Sequence, residues 1–180
     1  MFFYPLRLFG ICLLATSCLF PAPHIKAADS TSGPGRTLLT LEWPGSGGRD
    51  NRVELSLPDL KALPAASFET PTIWTAGVQR FTGVRLHDLL EAHDIASGQN
   101  AADGVELALH AINDYRVFVP LSEIRADGAL VAYERNGAPM SRRQKGPLWV
   151  VFDYDSDPDL RRETIYTRSI WQLDRIVVSR

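Results

Sequence analysis

The sequence predicts an α+β domain made of mixed β-sheets with short helices. Short runs of alternating apolar and polar residues recur along the chain, separated by Gly, Pro, Asn or Asp. One longer segment, 84–93, has apolar residues at helical spacing. A regular alternation of strands with helices, which is typical of a doubly wound parallel sheet, is not seen in the sequence. These observations favour the α+β class.

The first 27 residues have the layout of a secretory signal peptide. An early cation, Arg7, precedes an apolar stretch at 8–20 and a polar region that ends in Ala27. The stretch is shorter than the roughly 20 residues that a membrane-spanning helix needs. We therefore expect cleavage after Ala27 and a periplasmic protein. Lipoprotein anchoring at Cys18, which follows an approximate lipidation box, is the alternative.

Composition limits the domain organisation and the partners of the expected mature chain. Residues 28–36 are small and polar, which predicts a flexible leader to one domain at 37–180. In the full sequence Lys and Arg total 19 and Asp and Glu total 21, without a long run of either sign, which argues against nucleic acid as a partner. Both cysteines, Cys12 and Cys18, precede Ala27, so the mature chain would offer no disulfide and no thiolate ligand.

The first half of the domain is predicted to begin with a hairpin. Residues 37–43 and 52–57 alternate apolar with polar positions on either side of a Gly-rich loop. Residues 58–63 follow a Ser-x-Pro start signal and stop before a proline, which favours one helical turn. The next predicted elements are extended segments at 68–75 and 79–81 and an amphipathic helix at 84–93, which 94–98 close.

The second half is predicted to be mainly β. Asn113 and Asp114 form a turn signal between apolar runs at 105–112 and 115–119, which predicts a second hairpin. Residues 147–152 form a continuous apolar run, and such a run suits a central strand that is buried on both faces. The other predicted elements are a short helix at 120–125 and strands at 130–134 and 171–178.

No general catalytic motif stands out in the sequence. The serine-hydrolase elbow, the zinc-protease helix, the P-loop and the dinucleotide-binding turn are all missing from it. Three histidines lack metal-ligand spacing: His87, His93 and His110. The acidic segment 153–159 lacks the central Gly and the terminal Glu of a calcium loop, so a solvated loop is favoured.

Two regions have residue types that suit a ligand. Arg142, Arg143 and Lys145 precede Gly146, and cations beside a residue that permits close backbone approach suit an anionic or polar heteroaromatic ligand. A solvated loop is the other interpretation. Trp74 lies in a loop, where an indole can stack on a planar ligand or fill the edge of a core.

Four strings of the sequence together resemble the sulfite-oxidase-type molybdopterin-binding fold, especially its small stand-alone exported members. They cover most of residues 70–176 in the order found in that family. The strings are WTAGVQRFTGVRLHDLLEAHDI at 74–95, AINDYRVFVPLSEI at 111–124, VAYERNGAPMSRRQKGPLWVVFDYD at 131–155 and YTRSIWQLDRI at 166–176. The resemblance implies this fold and a pterin cofactor, either molybdopterin or a metal-free pterin.

The chain departs from the catalytic members at their metal ligand. In those members a cysteine thiolate just before the segment that corresponds to 74–89 binds molybdenum. The corresponding stretch here, 68–72, contains threonines and no sulfur. A threonine hydroxyl is a poor ligand for a soft metal near neutral pH. This departure argues against molybdenum and puts the oxidoreductase activity in doubt.

The resemblance to cysteine-less relatives implies a non-catalytic pterin-binding protein. Such a protein would pass a pterin signal to the periplasmic domain of a membrane signalling protein that controls cyclic-di-GMP. Two other interpretations stay open: a molybdopterin-dependent oxidoreductase that lacks a protein thiolate ligand, and a structural protein that has kept only the fold.

Site residues are also implied by the resemblance. Trp74 would stack on the pterin ring, and a carboxylate such as Asp114 or Asp153 would read its donor edge. The residues that would line the pocket are Asn113, Asp114 and Tyr115. Those that would contact the polar edge of the ligand are Arg143, Lys145 and Gly146.

Overall fold

The computed structural model describes residues 35–95 and 104–179. The predicted signal peptide with Cys18, most of the predicted leader and residues 96–98 of the predicted closing segment lie outside these ranges. Within the described ranges, every helix is too short or too polar to cross a membrane.

The described ranges contain ten strands and three α-helices, together with short 3-10 helices and turns. The strands are β1 (Thr37–Pro44), β2 (Asp50–Ser56), β3 (Ala65–Pro71), β4 (Val78–Arg85), β5 (Glu106–Ala111), β6 (Arg116–Pro120), β7 (Leu130–Arg135), β8 (Ala138–Pro139), β9 (Trp149–Val151) and β10 (Leu173–Ser179). The helices are α1 (Leu57–Ala62), α2 (Leu86–Glu91) and α3 (Glu163–Arg168).

The strands form two five-stranded sheets, which confirms the α+β class. The first sheet has the order β2-β1-β10-β5-β6, and its β1–β10 pair is parallel while its other pairs are antiparallel. The second sheet has the order β3-β4-β7-β8, and β9 also pairs with β7. Both predicted hairpins, β1–β2 and β5–β6, are present.

A main core joins the two sheets, and a smaller second core lies on the other face of the second sheet. The main core contains Leu41 of β1, Val131 of β7 and Ile176 of β10. The second core is built around Phe81 of β4 and Trp149 of β9. Strands β4, β7 and β9 of the second sheet therefore contribute residues to both cores, whereas its edge strands β3 and β8 are largely exposed.

The buried strand predicted at 147–152 is present as the shorter β9, which pairs with β7 and is bridged on its other edge through Trp149 to Trp171. Its other edge is used by the segment that leads into β10: Val150 N–H donates to Ile170 O at 2.9 Å. Leu148 and Val150 pack in the main core, whereas Trp149 and Val151 pack in the second core. The apolar run thus reflects burial on both faces, as predicted, although only one of the neighbours of β9 is a full strand.

The predicted helix at 84–93 is shorter in the structure, because β4 continues through Arg85 and α2 begins at Leu86. Val84 pairs with Val131 of β7 and faces the main core as a strand residue. In the same way, the extended segment predicted at 68–75 ends at Pro71, and residues 72–75 form a turn. Strand pairing here overrides the local helical spacing.

Candidate ligand-binding cavity

A cavity of about 670 Å³ opens where the loop after β3, the β5–β6 turn, α3 and the segment before β10 meet. Its volume is within the range of small-molecule sites. The residues that line the cavity are Ile73, Trp74, Ala111, Asn113, Tyr115, Glu163, Tyr166, Thr167, Ser169, Ile170 and Trp171.

Aromatic side chains form the inner wall of the cavity. Trp74 lies edge-on to three other rings, with centroid distances of 5.4 Å to Trp171, 5.8 Å to Trp149 and 5.9 Å to Tyr166. Phe81 continues this aromatic cluster behind Trp149 at 5.3 Å. Edge-to-face pairs fix the ring planes relative to one another, so the wall offers preset aromatic surfaces to a planar ligand.

The turn after β3 holds Trp74 in place. The Thr72 hydroxyl accepts a hydrogen bond from Trp74 N–H at 3.2 Å and bonds the Thr75 hydroxyl at 2.8 Å. This side-chain arrangement stabilises the turn locally. Thr72 lies in the segment where the catalytic members of the resembled family have their cysteine. In this chain the Thr72 hydroxyl instead holds the backbone of Trp74 and so helps to position the indole ring.

Ser169 connects the cavity to the second core. Its carbonyl accepts a hydrogen bond from the Trp149 indole N–H at 3.2 Å, and its hydroxyl donates to Ile165 O at 3.0 Å. The hydroxyl also bonds the Tyr154 hydroxyl. Burial raises the pKa of Tyr154, so this phenol stays neutral at physiological pH. These bonds tie the wall rigidly to the core.

A backbone network brings the β5–β6 turn to the 142–146 loop. Gln172 is the link: its N–H donates to Lys145 O, and its carbonyl accepts from Ile112 N–H, both at 3.0 Å. Asp114, Lys145 and Gln172 have φ angles of 64°, 75° and 58°. Left-handed conformations are uncommon for non-glycine residues and cluster at functional sites. The backbone of this region therefore also marks it as a candidate functional site.

Lys145 lies against the aromatic wall and not among the cavity-lining residues. Its Nζ is 3.8 Å from the Trp171 ring centroid and 5.7 Å from that of Trp149. Burial lowers the pKa of Lys145, and the nearby Arg135 lowers it further. The ammonium is thus engaged by the face of Trp171 through a cation–π contact.

Gly146 is required by a close approach of the chain to itself. A Cβ atom at this position would lie 1.9 Å from the carbonyl oxygen of Met140. The sequence alone suggested that this glycine makes room for a ligand, but the space is filled by the Met140 backbone.

Substitution Gly146→Ala should therefore destabilise the fold. We expect a loss of about 1–3 kcal/mol in the free energy of unfolding, the usual effect of forcing extra atoms into a packed site. Urea denaturation followed by circular dichroism measures this loss. A variant as stable as the parent would contradict the close approach to Met140.

The structure brings some of the predicted site residues together and separates others. Trp74, Asn113 and Tyr115 line one cavity, although they come from distant parts of the chain. The other predicted contacts do not line it: Asp114, Arg143, Lys145 and Gly146, together with Asp153. Roles in ligand binding stay predictions for all of them.

Sequence reasoning missed the side of the cavity that α3 and the segment before β10 provide. Tyr166 and Trp171 complete the aromatic wall, and Glu163 and Thr167 add polar groups. Tyr166 and Trp171 are both in the string at 166–176 that resembles the family, so that string contained the missing signal.

The donor set of the described residues fits a pterin ring better than a molybdenum centre. Aromatic walls and hydrogen-bonding side chains surround the cavity. Within 35–95 and 104–179, no group of three or more His, Cys, Asp or Glu side chains could hold a metal. The cysteines of the sequence, Cys12 and Cys18, precede these ranges. A soft metal would therefore find no thiolate here.

One comparison with known proteins gives a match. The family model described as the oxidoreductase molybdopterin binding domain matches residues 45–154, more than half of the chain. No curated protein matches the chain significantly. The matched segment includes Trp74 and the β5–β6 turn, whereas α3 and Trp171 come after it.

Proposed function

Because the chain belongs to the oxidoreductase molybdopterin-binding domain family, we propose that it binds a pterin in the aromatic cavity and does not itself catalyse an oxidoreduction. One combined observation carries this proposal. The cavity is walled by aromatic side chains that pack against one another, and residues 35–95 and 104–179 contain no cysteine.

The shape and chemistry of the cavity support a planar, polar-edged ligand. Trp74 and Trp171 provide indole rings, and Tyr115 adds a half-exposed ring at the β5–β6 turn. Aromatic stacking accepts any flat heterocycle, whereas hydrogen-bonding groups such as the Asn113 amide select the orientation of the ligand. A pterin has both a flat face and a donor–acceptor edge.

Exposed apolar side chains beside the cavity support a partner that senses the bound ligand. Ile73 is 63% exposed and Tyr115 is 50% exposed, and both line the cavity. A bound ligand would touch the same side chains that face the solvent. We therefore include in the proposal that the chain acts in the periplasm and presents its ligand-bound state to the external domain of a membrane signalling protein.

The second candidate function is an oxidoreductase that holds molybdenum through the pterin dithiolene alone. Membership of the family favours it. It requires the metal to stay bound without a protein thiolate, and Thr72 in the corresponding segment already uses its hydroxyl to hold Trp74 and Thr75. The two candidates differ in metal content, which can be measured directly.

The test is to purify the protein from cells that make molybdopterin and to record metal content and pterin fluorescence on one sample. The metal-free protein is then titrated with pterin in a calorimeter. We expect pterin to bind at about one equivalent and molybdenum to be far below one equivalent. Stoichiometric molybdenum would establish the oxidoreductase instead, and a protein that neither carries nor binds any pteridine would refute both candidates.

A further inference from the structure

We infer that the cavity selects an unphosphorylated pterin, with the carboxylate of Glu163 as the group that recognises the amino edge of its ring. This inference rests on the proposed function and goes beyond it, because it names the form of the ligand and a specificity-determining residue. Glu163 follows the segment matched by the family model.

The charge of the cavity is the first argument. Among the lining residues within 35–95 and 104–179, Glu163 is the one charged side chain, and Lys and Arg do not occur. A phosphate monoester carries close to two negative charges at neutral pH and is held in proteins by cations or clustered N–H groups. Placing one beside a carboxylate would add repulsion. An acidic aromatic cavity therefore favours a neutral ligand whose edge donates hydrogen bonds.

Two cations that touch or neighbour the lining residues make their contacts away from the cavity, which is the second argument. Lys145 Nζ lies over the ring of Trp171, 3.8 Å from its centroid. Arg168, on the helix that carries Glu163, forms an ion pair with Glu123 at 2.5 Å. Neither side chain lines the cavity.

The placement of Glu163 on α3 is the third argument. Glu163, Tyr166 and Thr167 are three and four residues apart, so they share one face of the helix, and all three line the cavity. Glu163 forms no ion pair with any described residue. Its two oxygens are thus available to accept two hydrogen bonds.

A pterin offers two donors side by side, its 2-amino group and its ring N3–H. A carboxylate accepts from such a pair bidentately, in the geometry that makes guanidinium–carboxylate pairs strong. Lumazine is a matched probe because it has an oxygen in place of the 2-amino group. It keeps the ring and the stacking but turns one donor into an acceptor that faces the carboxylate.

The experiment compares the full-length protein with Glu163→Gln in calorimetric titrations with four ligands: pterin, lumazine, neopterin and neopterin phosphate. The control is Glu106→Gln, which makes the same charge change at the start of β5 and does not line the cavity. We expect the unchanged protein to prefer pterin to lumazine by about tenfold or more, since a site built for a donor rejects an analogue that lacks it.

Glu163→Gln should weaken pterin by about tenfold and change lumazine by less than about threefold, whereas Glu106→Gln should change neither. Neopterin phosphate should bind the unchanged protein more weakly than neopterin. The inference is overturned if the phosphate tightens binding, or if Glu163→Gln leaves the pterin-to-lumazine ratio as it was. In those cases pterin binding itself would still stand. Failure of all four ligands to bind would instead refute the proposed function.

Discussion

Replacing Trp149 by alanine is expected to lower the free energy of unfolding by about 3–5 kcal/mol. The side chain is fully buried, lies against Phe81 and Trp74, and donates its indole N–H to Ser169 O. Alanine leaves a large cavity and an unpaired carbonyl at the junction between the second core and the ligand cavity. Because a domain of this size is stable by only about 5–15 kcal/mol, the loss would be a large part of its stability. Denaturation in guanidinium chloride measures it.

Trp43→Ala is the matched control for this prediction. Trp43 is a half-buried residue of β1, and its nearest aromatic ring is His93 at 6.1 Å. Its removal should cost about 1–2 kcal/mol, because less apolar surface is lost. Equal losses for the two variants would show that Trp149 has no special place in the packing.

Replacing Trp74 by alanine is expected to have a large effect on the affinity for pterin. Trp74→Ala should weaken pterin binding by about 10- to 100-fold, which corresponds to the loss of one aromatic stacking partner. Trp74 is half-buried and lines the cavity, and Thr72 holds its backbone. Its loss should reduce stability less than the loss of Trp149. Calorimetric titration with pterin below the unfolding transition measures the effect on affinity.

Trp74→Phe and Trp43→Ala separate stacking from general damage to the fold. The phenyl ring keeps a flat apolar face, so Trp74→Phe should regain much of the affinity that Trp74→Ala loses. Trp43→Ala, which changes a tryptophan outside the cavity, should bind pterin like the unchanged protein. If Trp74→Ala bound pterin with unchanged affinity, Trp74 would not be a stacking partner of the ligand.

The sequence predicted most of the strands because their alternation reflects one buried face. The hairpins β1–β2 and β5–β6 follow their turn residues closely. The helical turn α1 follows its start signal: Ser56 N–H donates to the Asp59 carboxylate at 2.8 Å, which closes a capping box. In these elements local and tertiary preferences agree.

Predictions that depended on long-range packing were less complete. Pairing with β7 makes Val84 and Arg85 part of strand β4 although their spacing is helical. Strand β9 is buried on both faces as expected but is shorter than the apolar run, because one of its neighbours is an irregular segment and not a strand. The cavity shows the same limit. Trp74 and the β5–β6 turn could be named from the family resemblance, but only the fold shows that α3 supplies the opposite side with Glu163.

The parallel pairing of β1 with β10 has a consequence for how the chain acquires its shape. The strand at the far end of the described sequence fills the middle of the first sheet, between β1 and β5. That sheet cannot close on a nascent polypeptide until β10 has emerged, and its central contacts join residues more than a hundred positions apart, such as Leu41 and Ile176. High contact order of this kind slows folding. The first sheet would therefore be completed only after β10 has been synthesised, whereas the second sheet, which does not contain β10, does not wait for it.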